Sequence, residues 1–238
     1  MESYEVLARF YDPIMGDQIE SSKMVHSLIK NYNKQAKTVL ELACGTGSYI
    51  QYLSKYYEVS GLDSSSAMLS VARDKIPQGS FYYNDMLKFD FNEKFDSIIC
   101  MNDSVNHLLT INEWKRLFSQ VYKHLNKNGV FIFDINTESK LENLSNSPPV
   151  IHEFDDNIFI TDVVKGRRDI FEWNLRVFER VKEKDYRLYE ETLLERALPV
   201  EKIKKMLSSY FKKIKLFDFD NTSVSKKSKR VYFVAING

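Results

Sequence analysis

Cysteine is scarce in this chain: 238 residues contain two, Cys44 and Cys100. Both fall in apolar, strand-like runs with neither metal-ligand spacing nor the partners for a disulfide framework, so no metal site is expected. They read as buried thiols of a reducing compartment. An excess of charge of one sign is also missing. Lys and Arg number 34 against 33 Asp and Glu, a formal net charge of +1, which removes any global pull toward nucleic acid or an acidic membrane. No apolar run approaches the length of a transmembrane helix, and Met1-Glu2-Ser3-Tyr4-Glu5 is polar, without a signal core. Internal repeats and low-complexity tracts are lacking too. The expectation is a soluble, cytoplasmic, folded protein.

What is present is an aromatic-rich chain, with 14 Tyr and 16 Phe, long enough for one sizeable domain with a smaller attachment. Its most informative stretch is Thr38-Val39-Leu40-Glu41-Leu42-Ala43-Cys44-Gly45-Thr46-Gly47. An apolar strand feeds a glycine turn, and a helix is expected from Ser48, the way α/β proteins offer backbone to adenosine-containing cofactors. The dinucleotide pattern needs a third glycine three positions later, where Ile50 stands. Glu41 at the strand end would repel a diphosphate and suit a cation. A nicotinamide enzyme is thereby disfavoured, and S-adenosylmethionine, which carries an ammonium, a sulfonium and no phosphate, fits better.

Strand and helix patterns alternate over roughly the first 135 residues, which predicts a parallel sheet with crossover helices. Strands are expected at Tyr57–Asp63, Ser80–Tyr83, Phe95–Met101 and Val130–Asp134. Thr110 and Glu113 have capping-box spacing before a helix that buries Trp114, Leu117, Phe118, Val121 and Leu125, with Asn128-Gly129 as its stop. From about Val150 to Ala197 the pattern becomes aromatic, alternating and charged, predicting antiparallel hairpins with turns near Gly166 and Lys184-Asp185. Pro199 opens a helix bearing Ile203, Met206, Leu207 and Tyr210. Strands around Ile214–Phe219 and Val231–Ile236 follow. The organisation expected is a cofactor-binding core over 1–145, a β insertion over 146–198, and a closing helix and two strands over 199–238.

Asp63 lies about twenty residues past the glycine turn, the spacing of an acid that accepts from ribose hydroxyls. Its alternative is a simple helix cap. Asp85, after the third strand, suits the adenine amino group, and Met86 its ring. Gly45 and Gly47 permit close backbone approach. Glu41 suits the methionine ammonium; its alternative is a charge pair within the fold.

Four segments together resemble the class I S-adenosylmethionine-dependent methyltransferases of small-molecule type: Glu41–Gly47; Gly61-Leu62-Asp63-Ser64-Ser65 with Met68-Leu69 and Ala72-Arg73; Asn84-Asp85-Met86; and Gly129–Asp134. The resemblance runs over about Tyr4 to Asn136. It implies a Rossmann-like seven-stranded sheet with its last strand antiparallel, an antiparallel β insertion after strand five, and S-adenosylmethionine at the carboxyl ends of the first strands. It adds Ala43, Ser64, Met68 and Asn102 to the cofactor contacts. The segment Tyr4–Asp12 is similar to one that lies over the cofactor in such enzymes, which puts Tyr4 and Tyr11 beside it. The segment Cys100–Leu108 is similar to the one that faces the methyl group. Within it His107 and Asp103 are the candidate bases and Asn106 a candidate acceptor contact, with His152 and Trp173 joining from the insertion.

Methyl transfer from a sulfonium is an in-line displacement, and a base is needed only when the acceptor must lose a proton. The expected acceptor is an oxygen or nitrogen atom of a small molecule. An RNA or protein methyltransferase using the insertion for docking, and a non-catalytic cofactor-binding module, are the alternatives. Lysines between Lys202 and Lys229 read as a solvated surface, since acidic residues balance them and no RNA-binding module is apparent. The assembly expected is a monomer or homodimer.

Overall fold

The computed structural model describes residues 4–5, 7–218 and 223–238. Two helices, α1 (Ala8–Met15) and α2 (Ile19–Tyr32), precede the sheet. Then come β1 (Thr38–Leu42), α3 (Ser48–Leu53), β2 (Glu58–Asp63), α4 (Ser66–Lys75), β3 (Ser80–Tyr83) and β4 (Phe95–Cys100). A short 3₁₀ turn, Ser104–His107, leads to α5 (Ile111–His124), β5 (Leu125–Asn136) and α6 (Glu138–Ser145). The insertion holds β6 (Val150–Phe154), β7 (Asn157–Lys165), β8 (Ile170–Lys182) and β9 (Asp185–Arg196). The chain closes with α7 (Val200–Leu207), β10 (Lys213–Asp218) and β11 (Arg230–Ile236). The expectations that include Met1 to Ser3, Val6 and Phe219 fall there outside the described residues.

The main sheet has seven strands in the order β10-β11-β5-β4-β1-β2-β3. β11, the last strand, runs antiparallel to both β5 and β10, and the remaining pairs are parallel. Alternation along β5 sorts the core into two layers. Phe131 and Phe133 point into one with Trp114, Phe118 and Leu207; Val130 and Ile132 point into the other with Val25, Ile29, Ile50 and Leu53. Phe133 and Phe233 stack across β5 and β11 with centroids 4.7 Å apart. Each such fully buried side chain contributes roughly 1.5–3 kcal/mol. Gly61 belongs to this packing, because a Cβ there would lie 2.8 Å from Cys44 Sγ, Ile50 and Phe81.

Local details depart from expectation. α5 stops at His124, before Asn128-Gly129, because the end of the chain competes for this backbone. Asn237 donates its side-chain amide to the carbonyls of Leu125 and Asn126, its carbonyl accepts from Asn128, and its N–H meets Gly129. α7 ends at Leu207, and Tyr210 packs on the same core from the following turn. α6 was not expected. Its start is fixed by Thr137, whose hydroxyl accepts from Lys140 N–H and donates to the Ser228 carbonyl.

The insertion forms a separate four-stranded antiparallel sheet, β6-β7-β8-β9. One face carries Phe154, Phe159, Leu175, Val177 and Leu193, and these pack against Leu7 and Phe10 of the N-terminal segment. α1 is thus held between the insertion and the carboxyl ends of the main sheet. Among the described residues, no helix is long and apolar enough to cross a membrane.

Candidate functional site

The turn after β1 is held in a left-handed backbone. Ala43, Gly45 and Gly47 have φ of 52°, 53° and 77°, a region that excludes most side-chain-bearing residues and so marks Ala43 as strained. Gly47 is required twice over, since a Cβ there would also meet Ile76 at 2.9 Å and Ala72 at 3.3 Å. Asp63, at the end of β2, clamps the turn. One carboxylate oxygen accepts from Gly45 N–H at 2.8 Å, the other from Ser65 N–H at 2.8 Å. Burial raises its pKa, against the pull of these backbone donors. Glu41 lies beneath the turn. It accepts from Ile50 N–H, burial and then Asp63 push its pKa well up, and its Oε2 has no hydrogen-bond partner among the described residues.

The N-terminal segment is bolted over this turn. Asp12 accepts from the Thr46 hydroxyl at 2.5 Å and pairs with Lys75. Glu5 accepts from the Ser65 hydroxyl at 2.9 Å and Ala67 N–H at 3.3 Å, a carboxylate at the start of α4 where the helix favours it. Tyr4 N–H donates to Glu191 of β9 at 2.6 Å. The Tyr4 hydroxyl lies 3.1 Å from His107 Nε2, and His107 Nδ1 lies 2.8 Å from the Leu194 carbonyl. A carbonyl only accepts, so Nδ1 carries the hydrogen, and Nε2 is the lone pair to which Tyr4 donates.

Two cavities meet here. The first, about 430 Å³, is lined by Tyr4, Tyr11, Ala43, Gly45, Asp63, Ser64, Met68, Met86, Asn102 and His107, together with Thr192 to Leu194 of the insertion. The second, about 220 Å³, lies between α1 and the insertion sheet, with Leu7, Ile14, Phe159, Trp173 and Leu175 on its apolar side and Asp103, Lys140, Glu195 and Arg230 on its polar side. Tyr4, Tyr11, Asn102 and Leu193 are common to both.

Most residues singled out in the sequence therefore converge, and five do not. Glu41 and Gly47 act under the turn and line neither cavity. Asp85 folds back on its own loop, accepting from Leu87 N–H at 2.8 Å and pairing with Lys88. Asn106 is removed from the acceptor wall because it is fully enclosed, donating to the carbonyls of Asn136 and Arg196. His152 is removed because β6 turns it outward to solvent, beside Phe154.

Asp103 changes role. It and Asn102 sit in left-handed backbone, φ 53° and 55°, and Asp103 forms an ion pair with Arg230, which also holds Asp134. Burial raises the Asp103 pKa, but Arg230, Lys140 and His107 outweigh it and the net shift is downward. A carboxylate held in its ionised form by a guanidinium is a poor base, so the geometry leaves His107 as the candidate. Sequence reasoning missed Arg230, Lys140 and Glu195. Glu195 Oε2 accepts from Asn136 at 3.0 Å, and burial, then the charge of Asp103, push its pKa well up. The one available signal was a carboxylate at an inward position of β9, four residues from the equally inward Glu191.

The first cavity fits an adenosine-bearing cation. Its wall carries a carboxylate, two methionines and, among the described residues, neither Lys nor Arg to meet a phosphate. Residues 39–129 match the methyltransferase domain family. A crystal structure of an S-adenosylmethionine-dependent methyltransferase from Clostridium acetobutylicum ATCC 824 superposes with a TM-score of 0.85 and 28% identity over 100% of both chains. The chain is a class I S-adenosylmethionine-dependent methyltransferase. The methyltransferase is also 27% identical to YqeM of Bacillus subtilis (strain 168) over 249 residues, 98% of this chain and 96% of that one. It is 28% identical over 119 residues, half of each chain, to a Streptomyces venezuelae enzyme named as a dTDP-3-amino-3,4,6-trideoxy-alpha-D-glucopyranose N,N-dimethyltransferase. In this methyltransferase Ala43, Gly45, Asp63 and Met68 line the first cavity, and the insertion contributes to both cavities.

Proposed function

We propose that the methyltransferase transfers a methyl group to an oxygen or nitrogen atom of a small molecule held in the second cavity. The observation that carries this reading is the shared wall of two differently furnished cavities, the second lined by β7, β8 and β9 of the insertion. At about 220 Å³ it falls below the roughly 300–1,000 Å³ of drug-sized sites, which suits a compact acceptor. The relative that acts on a dTDP-amino sugar supports the same class.

The bound cofactor supplies an electrophilic methyl group. Asp63 would accept from its ribose hydroxyls, with Met68 and Met86 flanking the adenine. Tyr4 and Tyr11 exclude water and align the acceptor from above. Burial holds the Tyr4 hydroxyl in its protonated form, so Tyr4 acts as a relay: it takes the proton leaving the acceptor as it gives its own to His107 Nε2.

Labelled S-adenosylmethionine incubated with a cell extract should place label in the metabolite fraction. Label confined to RNA or protein would overturn the small-molecule reading. Tyr4→Phe keeps the ring against Tyr11 and His107 and removes the relay. Its turnover should fall on the order of 10²-fold while S-adenosylhomocysteine binding by calorimetry stays unchanged. Full turnover in this variant would remove Tyr4 from proton transfer.

A further inference from the structure

The second cavity has a surplus of hydrogen-bond donors. Trp173 and Thr161 are diagonal neighbours on the inward face of β8 and β7, where Val163 opposes Trp173 and Thr161 opposes Leu175. Trp173 Nε1 and Thr161 Oγ1 are both shielded from water and lack a partner among the described residues. An orphaned buried donor costs about 1–3 kcal/mol, so two on one cavity wall call for an explanation. Lys140 lies on the same cavity. Its ammonium donates to Asn136 Oδ1 at 2.7 Å, and among the described residues it forms no salt bridge with a carboxylate. Burial, then Arg230, hold its pKa below the usual lysine range, which is how a cation short of counter-charge behaves.

The nearby acids do not meet this demand. Asp103 and Asp134 are taken by Arg230. Burial, then Asp103, push the Glu195 pKa well up, against its carboxylate form, and its Oε2 already accepts from Asn136. One cavity thus presents an ammonium with spare donors, an indole N–H and a hydroxyl beside an apolar wall of Leu7, Ile14 and Phe159. The first cavity has the opposite character, with carboxylate and no cation on its described wall.

We infer that the acceptor carries a compact oxyanion, a carboxylate or a phosphate, seated against Lys140, Trp173 and Thr161 with its apolar body toward Leu7 and Phe159. This rests on the reading of the second cavity as the acceptor site. It assigns the specificity of that site to an anion and gives both orphaned atoms a partner.

The chain has two tryptophans, and Trp114 Nε1 is already bonded to the Leu108 carbonyl in the core. ¹⁵N-labelled full-length protein therefore offers two indole N–H signals, and the one lost in Trp173→Phe reports on the cavity. Four probes share a ring and differ in head group: benzoate, phenyl phosphate, benzamide and benzylamine. Benzoate or phenyl phosphate should move the Trp173 signal, and whichever binds tighter names the anion. Benzamide and benzylamine should leave it in place. Lys140→Met should weaken anion binding roughly tenfold or more. If Lys140→Met does not fold, Thr161→Val, of the same shape, serves for the same comparison. The inference is overturned if benzylamine moves the signal at lower concentration than benzoate, if no probe moves it, or if a folded variant binds the anion as tightly as the parent. S-adenosylhomocysteine calorimetry on the same samples separates the two levels: retained cofactor binding with failed anion binding removes only this inference, and lost cofactor binding in the parent removes the methyl-transfer reading.

Discussion

Asp63→Ala should weaken S-adenosylhomocysteine binding by about a hundredfold or more. A carboxylate that accepts two ribose hydroxyls makes charge-assisted hydrogen bonds worth roughly 1.5–3 kcal/mol each, and every 1.4 kcal/mol is about tenfold. The same carboxylate also clamps the turn through Gly45 and Ser65 N–H, so part of the loss is a loosened turn. Asp63→Asn separates the parts, because it keeps an acceptor oxygen for one of those N–H groups. Linkage adds a signature. Burial raises the folded-state pKa of Asp63 above its unfolded value, so its contribution to stability is present at low pH and is lost as pH rises through the raised value. Relative to the parent, Asp63→Asn should gain stability between pH 4 and pH 8 even as cofactor affinity falls. Urea unfolding at the two pH values, beside calorimetry, checks both; undiminished binding in either variant would take Asp63 out of the cofactor site.

Arg230→Met should cost about 3–5 kcal/mol of stability, the scale for leaving buried charge without its partner. Arg230 holds Asp103 and Asp134 together, and all three are less than a quarter exposed. In the parent, Arg230 helps keep the folded-state pKa of Asp103 low, so the contribution of Asp103 is present above its unfolded pKa and is lost as pH falls through the folded one. Asp134, raised by burial more than Arg230 lowers it, already runs the other way. Without the guanidinium, burial governs both acids and both pKa values rise. Stability of the variant should then fall as pH rises from 5 to 8. Asp103→Asn in the Arg230→Met background should recover part of the loss. Denaturant unfolding that is indifferent to pH in the variant would mean that these carboxylates find other partners.

Much of the cofactor half was legible because it is local. Glycines, the strand-end Asp63 and the helix starts lie within short stretches whose chemistry is written in neighbouring residues. The capping box is an instance: Thr110 N–H donates to Glu113, and Glu113 N–H donates to the Thr110 hydroxyl. Asp85 misled because a turn acid and an adenine-binding acid look alike in sequence, and the fold spends it on Leu87 and Lys88. The second cavity was illegible for the opposite reason. Arg230 meets Asp103 across 127 positions and Asn136 meets Glu195 across 59, and no periodicity encodes such meetings. α6 escaped notice because only Leu141 among its residues is fully buried.

Only Tyr4, Tyr11, Asn102 and Leu193 belong to both cavity walls among the described residues. The other residues of the second wall are Leu7, Asp103, Asn136 at the end of β5, residues of α1, α6, β7, β8 and β9, and the arginine that opens β11, and none of them borders the first cavity. Mutation can therefore explore one chamber while the other is left untouched. With the second cavity as the proposed acceptor site, a copy left by gene duplication could drift through many acceptors without losing its methyl donor, and those four shared residues would be the ones least free to follow.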